Sequence, residues 1–241
     1  MQLQVLSGGA AQGLVSALAS QFKVETGCDI AGTFGAVGAM RDKLTGGAPA
    51  DLLILTAVLI AELTQSGHVV AGSAADIGVV RTAIAARAGD PAPPIGDAAE
   101  LRSALLGADA IYFPDPKLAT AGIHVAKVLD RLGIGRDVTM RLRPYPNGAA
   151  AMHALAATRS KQPIGCTQVT EILNTPGVTL VGPLPKEFEL ATVYTAGVCT
   201  RAIRSDQARQ LVAFLSGEAS RDARERAGFE ALASPSPHHP S

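Results

Sequence analysis

The sequence predicts an α/β fold with doubly wound, mostly parallel sheets, and three observations support this fold class. Segments with helical hydrophobic periodicity alternate with short strand-like runs along the chain. A Pro-rich segment at residues 89–94 separates a first alternating set from a second. Two strands end in turns of small residues that lead directly into helices. In folds of this class, ligands bind beyond the carboxyl ends of the strands.

The first set consists of three strand–helix units. Strands are predicted at residues 3–6, 29–34 and 51–55, and helices at residues 12–25, 38–45 and 57–66. In the first helix, Leu14, Leu18 and Phe22 lie on one apolar stripe, and Gly27 ends the helix. The pattern of this half is therefore βαβαβα.

The second set follows a strand that is predicted at residues 79–88. Its helices are predicted at residues 97–106, 123–133 and 148–158, and its strands at residues 110–113, 138–142, 163–167 and 178–181. A β-rich run at residues 191–200 precedes two closing helices at residues 206–216 and 218–227, with Ser205 as the expected N-cap of the first. Residues 233–241 are rich in Pro and Ser, which predicts a disordered tail.

The composition argues against several classes of protein. Lys plus Arg and Asp plus Glu each number 21, and aromatic residues make up only 4%, so we expect no nucleic-acid partner. No apolar run reaches the ~18 residues of a membrane helix, so we expect no membrane insertion. No charged and then apolar leader is visible, which predicts a cytoplasmic protein, or a periplasmic one if a leader has been removed.

The sequence also lacks the common signatures of metal and cofactor sites. Cys28, Cys166 and Cys199 have no metal-ligand spacing and are expected to be buried thiols. There is no phosphate-binding loop with a GKS or GKT signature and no nucleophile elbow with a Ser/His/Asp set. We therefore expect no metal and no cofactor, and we set aside the hydrolase, metalloenzyme and NTPase classes.

The small-residue turns predict a binding edge for an anion. Glycines allow a ligand to approach the backbone closely, and the first N–H groups of a helix have no intrahelical partner. Such turns can hold an anion without a charged side chain. The residues predicted to contact the ligand there are Gly8, Gly9 and Ala10 in the first turn, Gly35, Ala36 and Val37 in the second, and Thr56 after the third strand.

Four motifs, spread over about residues 3–230, resemble those of a known family. They are Phe34-Gly35-x-x-Gly38-Ala39, then Gly47-Ala48-Pro49-Ala50-Asp51 before a hydrophobic strand, then Phe113-Pro114-Asp115-Pro116 with Ala121-Gly122 opening a helix, and Pro163-Ile164-Gly165. The family is the molybdate-binding component of ABC importers, which has the type II periplasmic binding protein fold. The Gly-Ala-Pro-Ala-Asp element is the most specific part of the resemblance.

The resemblance implies two doubly wound α/β lobes that are joined by two crossing strands and close over a small ligand. Lobe 1 would comprise residues 1–79 and 196–232, and lobe 2 would comprise residues 80–195. The implied partners are a small anionic ligand and, if the protein is exported, an ABC importer.

The sequence departs from the family at the oxyanion ligands. In the molybdate binders, two serines in the first two turns and a tyrosine after the Pro-x-Gly strand help to bind the oxyanion. Here these positions correspond to Ala10, to Ala36 or Val37, and to Gln168. Each missing hydrogen bond costs about 1–3 kcal/mol. The small apolar residues therefore favour a larger organic anion, such as a di- or tricarboxylate.

Further polar side chains are predicted at the same edge of the sheets. Arg41 would pair with an acidic ligand, although an exposed arginine on a helix surface is an alternative. A histidine near a helix N-terminus suits proton transfer near neutral pH, so His124 and Lys117 are the candidate catalytic residues, with a structural role as the alternative. The remaining candidate ligand-binding residues are Gln12, Thr120, Ala121, Arg143, Tyr145, Asn147 and Gln168.

Two functions from different classes remain open from the sequence. The first is a solute-binding protein for a small organic anion, with molybdate or tungstate as a further alternative. The second is an isomerase that moves a proton within an unsaturated tricarboxylate, as in aconitate isomerase, using the same cleft without a cofactor. Fold resemblance alone does not decide between them.

Overall fold

The computed structural model describes residues 1–232, so the tail predicted at residues 233–241 lies outside the described residues. The strands are β1 (Gln2–Gly8), β2 (Asp29–Gly35), β3 (Leu52–Thr56), β4 (Ala75–Arg87), β5 (Ala110–Pro114), β6 (Leu142–Tyr145), β7 (Pro163–Gln168), β8 (Val178–Pro183) and β9 (Ala191–Val198). Most of them lie where the apolar runs of the sequence predict strands.

The helices alternate with these strands. They are α1 (Gln12–Thr26), α2 (Val37–Thr45), α3 (Ala57–Gln65), α4 (Ala98–Gly107), α5 (Thr120–Arg131), α6 (Gly135–Val138), α7 (Gly148–Ala157), α8 (Val169–Leu173), α9 (Ser205–Ser216) and α10 (Arg221–Arg226). Short 3₁₀ turns at Gly9–Ala11, Thr139–Arg141, Lys186–Phe188 and Glu218–Ser220 complete the connections.

The strand order explains how two lobes are joined. The order is β2-β1-β3-β9-β4-β7-β5-β6, and β8 pairs with β4. β1 runs parallel to β2 and β3, and β5 runs parallel to β6 and β7. β4 and β9 are antiparallel to each other and to their other neighbours in this order, and they connect the two parallel sets. The fold is therefore two doubly wound α/β lobes joined by two crossing strands, as predicted.

Each lobe buries its own apolar residues. One core cluster contains residues between Leu3 and Val80 together with residues between Tyr194 and Phe229. Two further clusters lie on either side of the second parallel set, one beneath α4 and α5 and one beneath α7. The three cysteines are buried free thiols, as predicted. In the described part of the chain, no helix is both long enough and apolar enough to cross a membrane.

Two local predictions are wrong. Residues 138–142, predicted as a strand, lie mostly in α6 and the following 3₁₀ turn, and the strand begins only at Leu142. The Thr139 hydroxyl donates to the Gly135 carbonyl at 2.7 Å, which supports this turn. Arg204, rather than Ser205, is the N-cap of α9, so Ser205 is already helical. The strand prediction at residues 138–142 failed because alternation of a few apolar residues does not distinguish a short helix from a strand.

Candidate functional site

A small cavity lies where the two lobes meet at the carboxyl edges of the parallel strands. Residues of the 3₁₀ turn before α1, together with residues that begin α2, α5 and α7 or immediately precede them, form much of its wall. Its volume is about 20 Å³, which is close to the space that one water molecule needs. Any larger ligand therefore requires the walls to move apart.

Most of the predicted glycine-turn and helix-start residues line this cavity. The sequence-predicted residues in its wall are Gly9, Ala10, Gly35, Ala36, Val37, Thr120, Ala121, Asn147 and Gln168. They come together because they end or follow β1, β2, β5, β6 and β7, whose carboxyl ends face one another across the cleft. Asn147 is also the N-cap of α7, and its Oδ1 accepts a hydrogen bond from the Ala150 amide at 2.9 Å.

Four predicted residues of the first lobe do not line the cavity. Arg41 pairs with the neighbouring Asp42 at 2.8 Å on the exposed side of α2. Thr56 is the N-cap of α3, where its hydroxyl accepts from the Leu59 amide at 3.4 Å. Gln12 begins α1 but is not among the cavity residues. Gly8 also lies outside the wall, although a Cβ built there would lie 2.8 Å from Cγ1 of Val37.

Arg143 and Tyr145, which were predicted ligand-binding residues of the second lobe, have local partners and do not line the cavity. The Arg143 guanidinium donates to the carbonyls of Met140 and Leu142, each at 2.9 Å. The Tyr145 ring stacks on the Tyr112 ring with centroids 6.1 Å apart. Lys117 is exposed.

His124, the other candidate catalytic residue, also makes a contact away from the cavity. Its Nε2 lies 2.7 Å from the Phe188 carbonyl, so this nitrogen carries the proton and donates it to that oxygen. Neither His124 nor Lys117 is part of the cavity wall. Their catalytic roles remain predictions from the sequence.

Five wall residues were not among the predicted site residues. They are Pro114, Ala119, Gly148, Glu171 and Tyr194. Gly148 directly follows the predicted Asn147, and Glu171 lies three residues after the predicted Gln168, so proximity along the chain was an available signal for both. Tyr194 lies on the crossing strand β9, and no motif of the sequence marks it.

Glu171 is packed between backbone segments of both lobes. Its Oε2 accepts a hydrogen bond from the Thr167 hydroxyl at 2.5 Å. A Cβ built on Gly9 would collide with Oε1, and a Cβ built on Gly148 would collide with Oε2. Only glycine at these two positions lets the backbone approach the carboxyl group so closely. Glu171 is 7% exposed.

Burial dominates the electrostatics of this carboxyl group. Loss of solvation raises the pKa of Glu171, and hydrogen bonds from the Thr167 hydroxyl and from the backbone N–H groups of Gln168, Gly148 and Ala149 oppose the rise only in part. Burial also raises the pKa of Tyr194, and the neighbouring charge of Glu171 raises it further. Among the described residues, no Lys, Arg or His side chain lines the cavity.

Gln168 has unused hydrogen-bonding capacity in the cavity wall. It is 2% exposed, and within residues 1–232 neither its Oε1 nor its Nε2 has a hydrogen-bond partner. Buried amide groups in native proteins are almost always paired, and exceptions often mark a ligand site. The side chain therefore offers one donor group and one acceptor group to a molecule in the cleft.

The chain matches one protein family and two curated relatives. A model of the bacterial extracellular solute-binding protein family matches residues 3–230. The chain is 26% identical over 235 residues to the aconitate isomerase of a Pseudomonas species, covering 95% of this chain and 87% of that protein. It is 22% identical over 204 residues to the molybdate-binding protein ModA of Escherichia coli, covering 82% of this chain and 77% of that protein.

The fold is also similar to that of solved structures. The periplasmic molybdate-binding protein of Azotobacter vinelandii superimposes with a TM-score of 0.80 at 19% identity, covering 96% of this chain and all (100%) of that chain. At this level of identity, the similarity establishes the fold and leaves the ligand open.

Proposed function

Because the chain belongs to the bacterial extracellular solute-binding protein family and has the fold of a type II periplasmic binding protein, we propose that it binds a small organic anion in the cleft between its lobes. The observation that carries this proposal is the buried Gln168, whose side-chain amide lines the cavity and, in the described chain, has no partner. A ligand that pairs with this amide relieves the cost of burying it.

The walls of the cleft support an anion that also carries apolar surface. Backbone N–H groups of the 3₁₀ turn before α1 and at the starts of α2 and α5 provide donors without cations. Ala10, Ala36 and Val37 form an apolar part of the same wall. A di- or tricarboxylate combines charged ends with a carbon skeleton, and it suits these walls better than a tetrahedral metal oxide does.

Thermal unfolding with added anions tests this proposal. We expect trans-aconitate to raise the Tm and molybdate to raise it little, because a ligand that binds only the native state stabilises it by about 2.7 kcal/mol at 100 times its Kd. A large shift with molybdate and none with trans-aconitate would reverse the ranking. If neither anion produces a shift and neither gives heat in calorimetric titration, the proposal fails for both classes of ligand.

A second candidate function is supported by Glu171. The isomerase alternative requires a group that removes a proton from one carbon of an unsaturated tricarboxylate and returns it to another. A buried carboxyl group with a raised pKa in the cleft is suited to this task, and a relative at 26% identity is described as an aconitate isomerase. We propose Glu171, rather than His124, as the acid–base group of such a reaction.

Incubation of the protein with trans-aconitate, followed by NMR for the cis isomer, separates the enzyme from the receptor. If turnover occurs, Glu171→Gln is expected to abolish it and His124→Ala to retain it, because His124 contacts the Phe188 carbonyl. The opposite result would restore the role that the sequence predicts for His124. Absence of turnover with tight binding would leave the receptor function.

If the protein is a receptor, we propose an ABC importer as its partner and the periplasm as its location. We also propose that lobe 1 comprises residues 1–79 and 196–232 and that lobe 2 comprises residues 80–195, as the sequence predicts. For the isomerase function, the cytoplasm remains the proposed location. Subcellular fractionation of the natural host with an antibody against the protein distinguishes these two proposals.

A further inference from the structure

Glu171 is the one carboxyl group in the wall of the cavity, among the residues that the structure describes. It lies in the first turn of α8, and its two oxygens contact the backbone of Gly9 in the first lobe and of Gly148 in the second. Gln168 precedes it by less than one helical turn and lines the same cavity. An anion that pairs with the Gln168 amide is therefore placed beside the Glu171 carboxyl group.

The surroundings of Glu171 do not supply a positive charge. The 3₁₀ turn before α1 faces it with Gly9 and Ala10, and α7 faces it with Asn147 and Gly148. β7 contributes the Thr167 hydroxyl and the Gln168 side chain. From β9, Tyr194 contributes a phenol, and its raised pKa keeps this group neutral. In the described cavity wall, Glu171 and Tyr194 are thus the only titratable side chains.

Two negative charges that share one buried site destabilise each other. When two carboxylates occupy such a site, one of them takes up a proton and its pKa rises strongly. Here the second negative charge belongs to the ligand, and no cation in the described wall offsets it. A proton on Glu171 removes the repulsion and gives the group one O–H donor, while its remaining lone pairs still accept from the Thr167 hydroxyl and neighbouring backbone N–H groups.

We propose that Glu171 is protonated when the cleft binds its anion and donates a hydrogen bond to it, so that anion binding takes up a proton. This inference rests on the proposed anion-binding function and assigns the residue that couples this function to pH. Above the pKa of Glu171 in the ligand-free protein, the affinity falls about tenfold for each unit of pH, because each binding event must recruit one proton. The cleft accordingly binds its anion tightly in an acidic compartment and releases it at higher pH.

Calorimetric titration with trans-aconitate and with molybdate between about pH 6 and 8.5 measures this coupling. Titrations in two buffers that differ in ionisation enthalpy count the protons directly. We expect the wild type to take up as much as one proton per anion and its Kd to rise about tenfold per pH unit in the upper part of the range. Glu171→Gln, whose amide is always neutral and also donates, is expected to bind with a Kd that does not change with pH.

A matched control is Glu62→Gln, an exposed glutamate on α3 away from the cavity, which is expected to retain the pH dependence of the wild type. Since all variants bind the same anion, titration of the ligand itself cancels in the comparison. Equal pH dependence in the wild type and in Glu171→Gln overturns the inference and leaves the anion-binding function intact.

A second measurement tests the protonated carboxyl group without any ligand. The folded-state pKa of Glu171 lies above its ordinary value of 4.5. The protonated group therefore stabilises the folded state fully below about pH 4.5, and this contribution is lost as the pH rises through the folded-state pKa. We expect the free energy of unfolding of the wild type, relative to Glu171→Gln, to fall with rising pH in urea unfolding. A difference that stays constant with pH contradicts the raised pKa of the ligand-free carboxyl group, and the proton count of the titrations then decides the inference.

Discussion

The backbone N–H of Gly38, in the first turn of α2, donates a hydrogen bond to the Leu118 carbonyl, which precedes α5 in the other lobe, with an N···O distance of 3.0 Å. A Cβ built on Gly38 would lie 3.0 Å from the same oxygen and 3.3 Å from Cα of Leu118. The two lobes thus meet backbone to backbone beside the cavity.

Gly38→Ala is expected to hold the lobes apart and to weaken anion binding about tenfold, since only a fraction of the molecules then adopt the binding-competent form. Stability itself is not expected to fall, because alanine is favoured over glycine in a helix by about 0.5–1 kcal/mol. Calorimetric titration measures the affinity, and small-angle scattering measures the radius of gyration, which should increase.

Gly107→Ala is the matched control for this substitution. Gly107 ends α4, and among the described residues no heavy atom lies within 4 Å of a Cβ built there, apart from its chain neighbours and the backbone of its own helix. The anion affinity and the radius of gyration of the Gly107→Ala protein should equal those of the wild type. If Gly38→Ala also binds like the wild type, the contact between Gly38 and Leu118 has no role in closing the cleft.

Gln168→Met is expected to separate binding from stability. The buried amide of Gln168 has no partner within the described chain, so an apolar side chain of similar size should raise the free energy of unfolding by about 1 kcal/mol. The same change removes a donor and an acceptor from the cleft and should weaken anion binding by tenfold or more, a loss of about 1.4 kcal/mol or greater. Urea unfolding and calorimetric titration measure the two effects.

Gln65→Met, at an exposed position at the end of α3, is the control for this change and should alter neither property. A Gln168→Met protein that is less stable but binds normally would mean that the amide serves the fold rather than the ligand.

Asp51→Ala is expected to cost about 3 kcal/mol or more, because the buried carboxylate satisfies backbone donors from distant parts of the chain. Asp51 is 4% exposed. One carboxylate oxygen accepts a hydrogen bond from the backbone N–H of Gln4 at 2.8 Å. The other accepts from the backbone N–H groups of Ile203 and Arg204 at 2.8 and 3.0 Å. This network ties β1 to the segment that enters α9.

The exposed Asp42 provides the comparison. Its ion pair with Arg41 lies on the surface, so Asp42→Ala should cost less than about 1 kcal/mol. Chemical unfolding of both variants tests the difference. Equal losses would show that the Asp51 network does not stabilise the fold.

The buried thiols are expected to resist labelling in the native protein. Burial raises the pKa of Cys166 to about 12. Burial and the neighbouring charge of Asp51 raise the pKa of Cys199 to about 12. Since the thiolate is the reactive form, labelling of the folded protein with a disulfide reagent should stay slow as the pH rises from about 7 to 9.

In denaturant, all three thiols of the chain should react, and their rate should rise with pH in the same range, since unfolded cysteines have a pKa of about 8.5. Rapid labelling of even one thiol in the native protein would contradict the buried environment of that cysteine.

Much of the candidate site followed from the sequence because its signals are local. Apolar periodicity placed α1 and the strand–helix alternation, and small-residue turns after β1 and β2 placed Gly9, Ala10, Gly35, Ala36 and Val37 at one edge. In a parallel sheet these positions converge whatever the remaining contacts are, because the carboxyl ends of the strands point the same way.

The orientation of long side chains and the burial of a charge were decided only by the tertiary structure. Arg41 and Arg143 have acceptors within their own segments, and His124 has the Phe188 carbonyl, so none of them is directed into the cavity. Glu171 became part of the cavity wall because glycine backbones from both lobes close around its carboxyl group. The sequence determined where the chain turns, whereas packing between the lobes determined which polar groups lose their water, since desolvation depends on neighbours that are far apart in the chain.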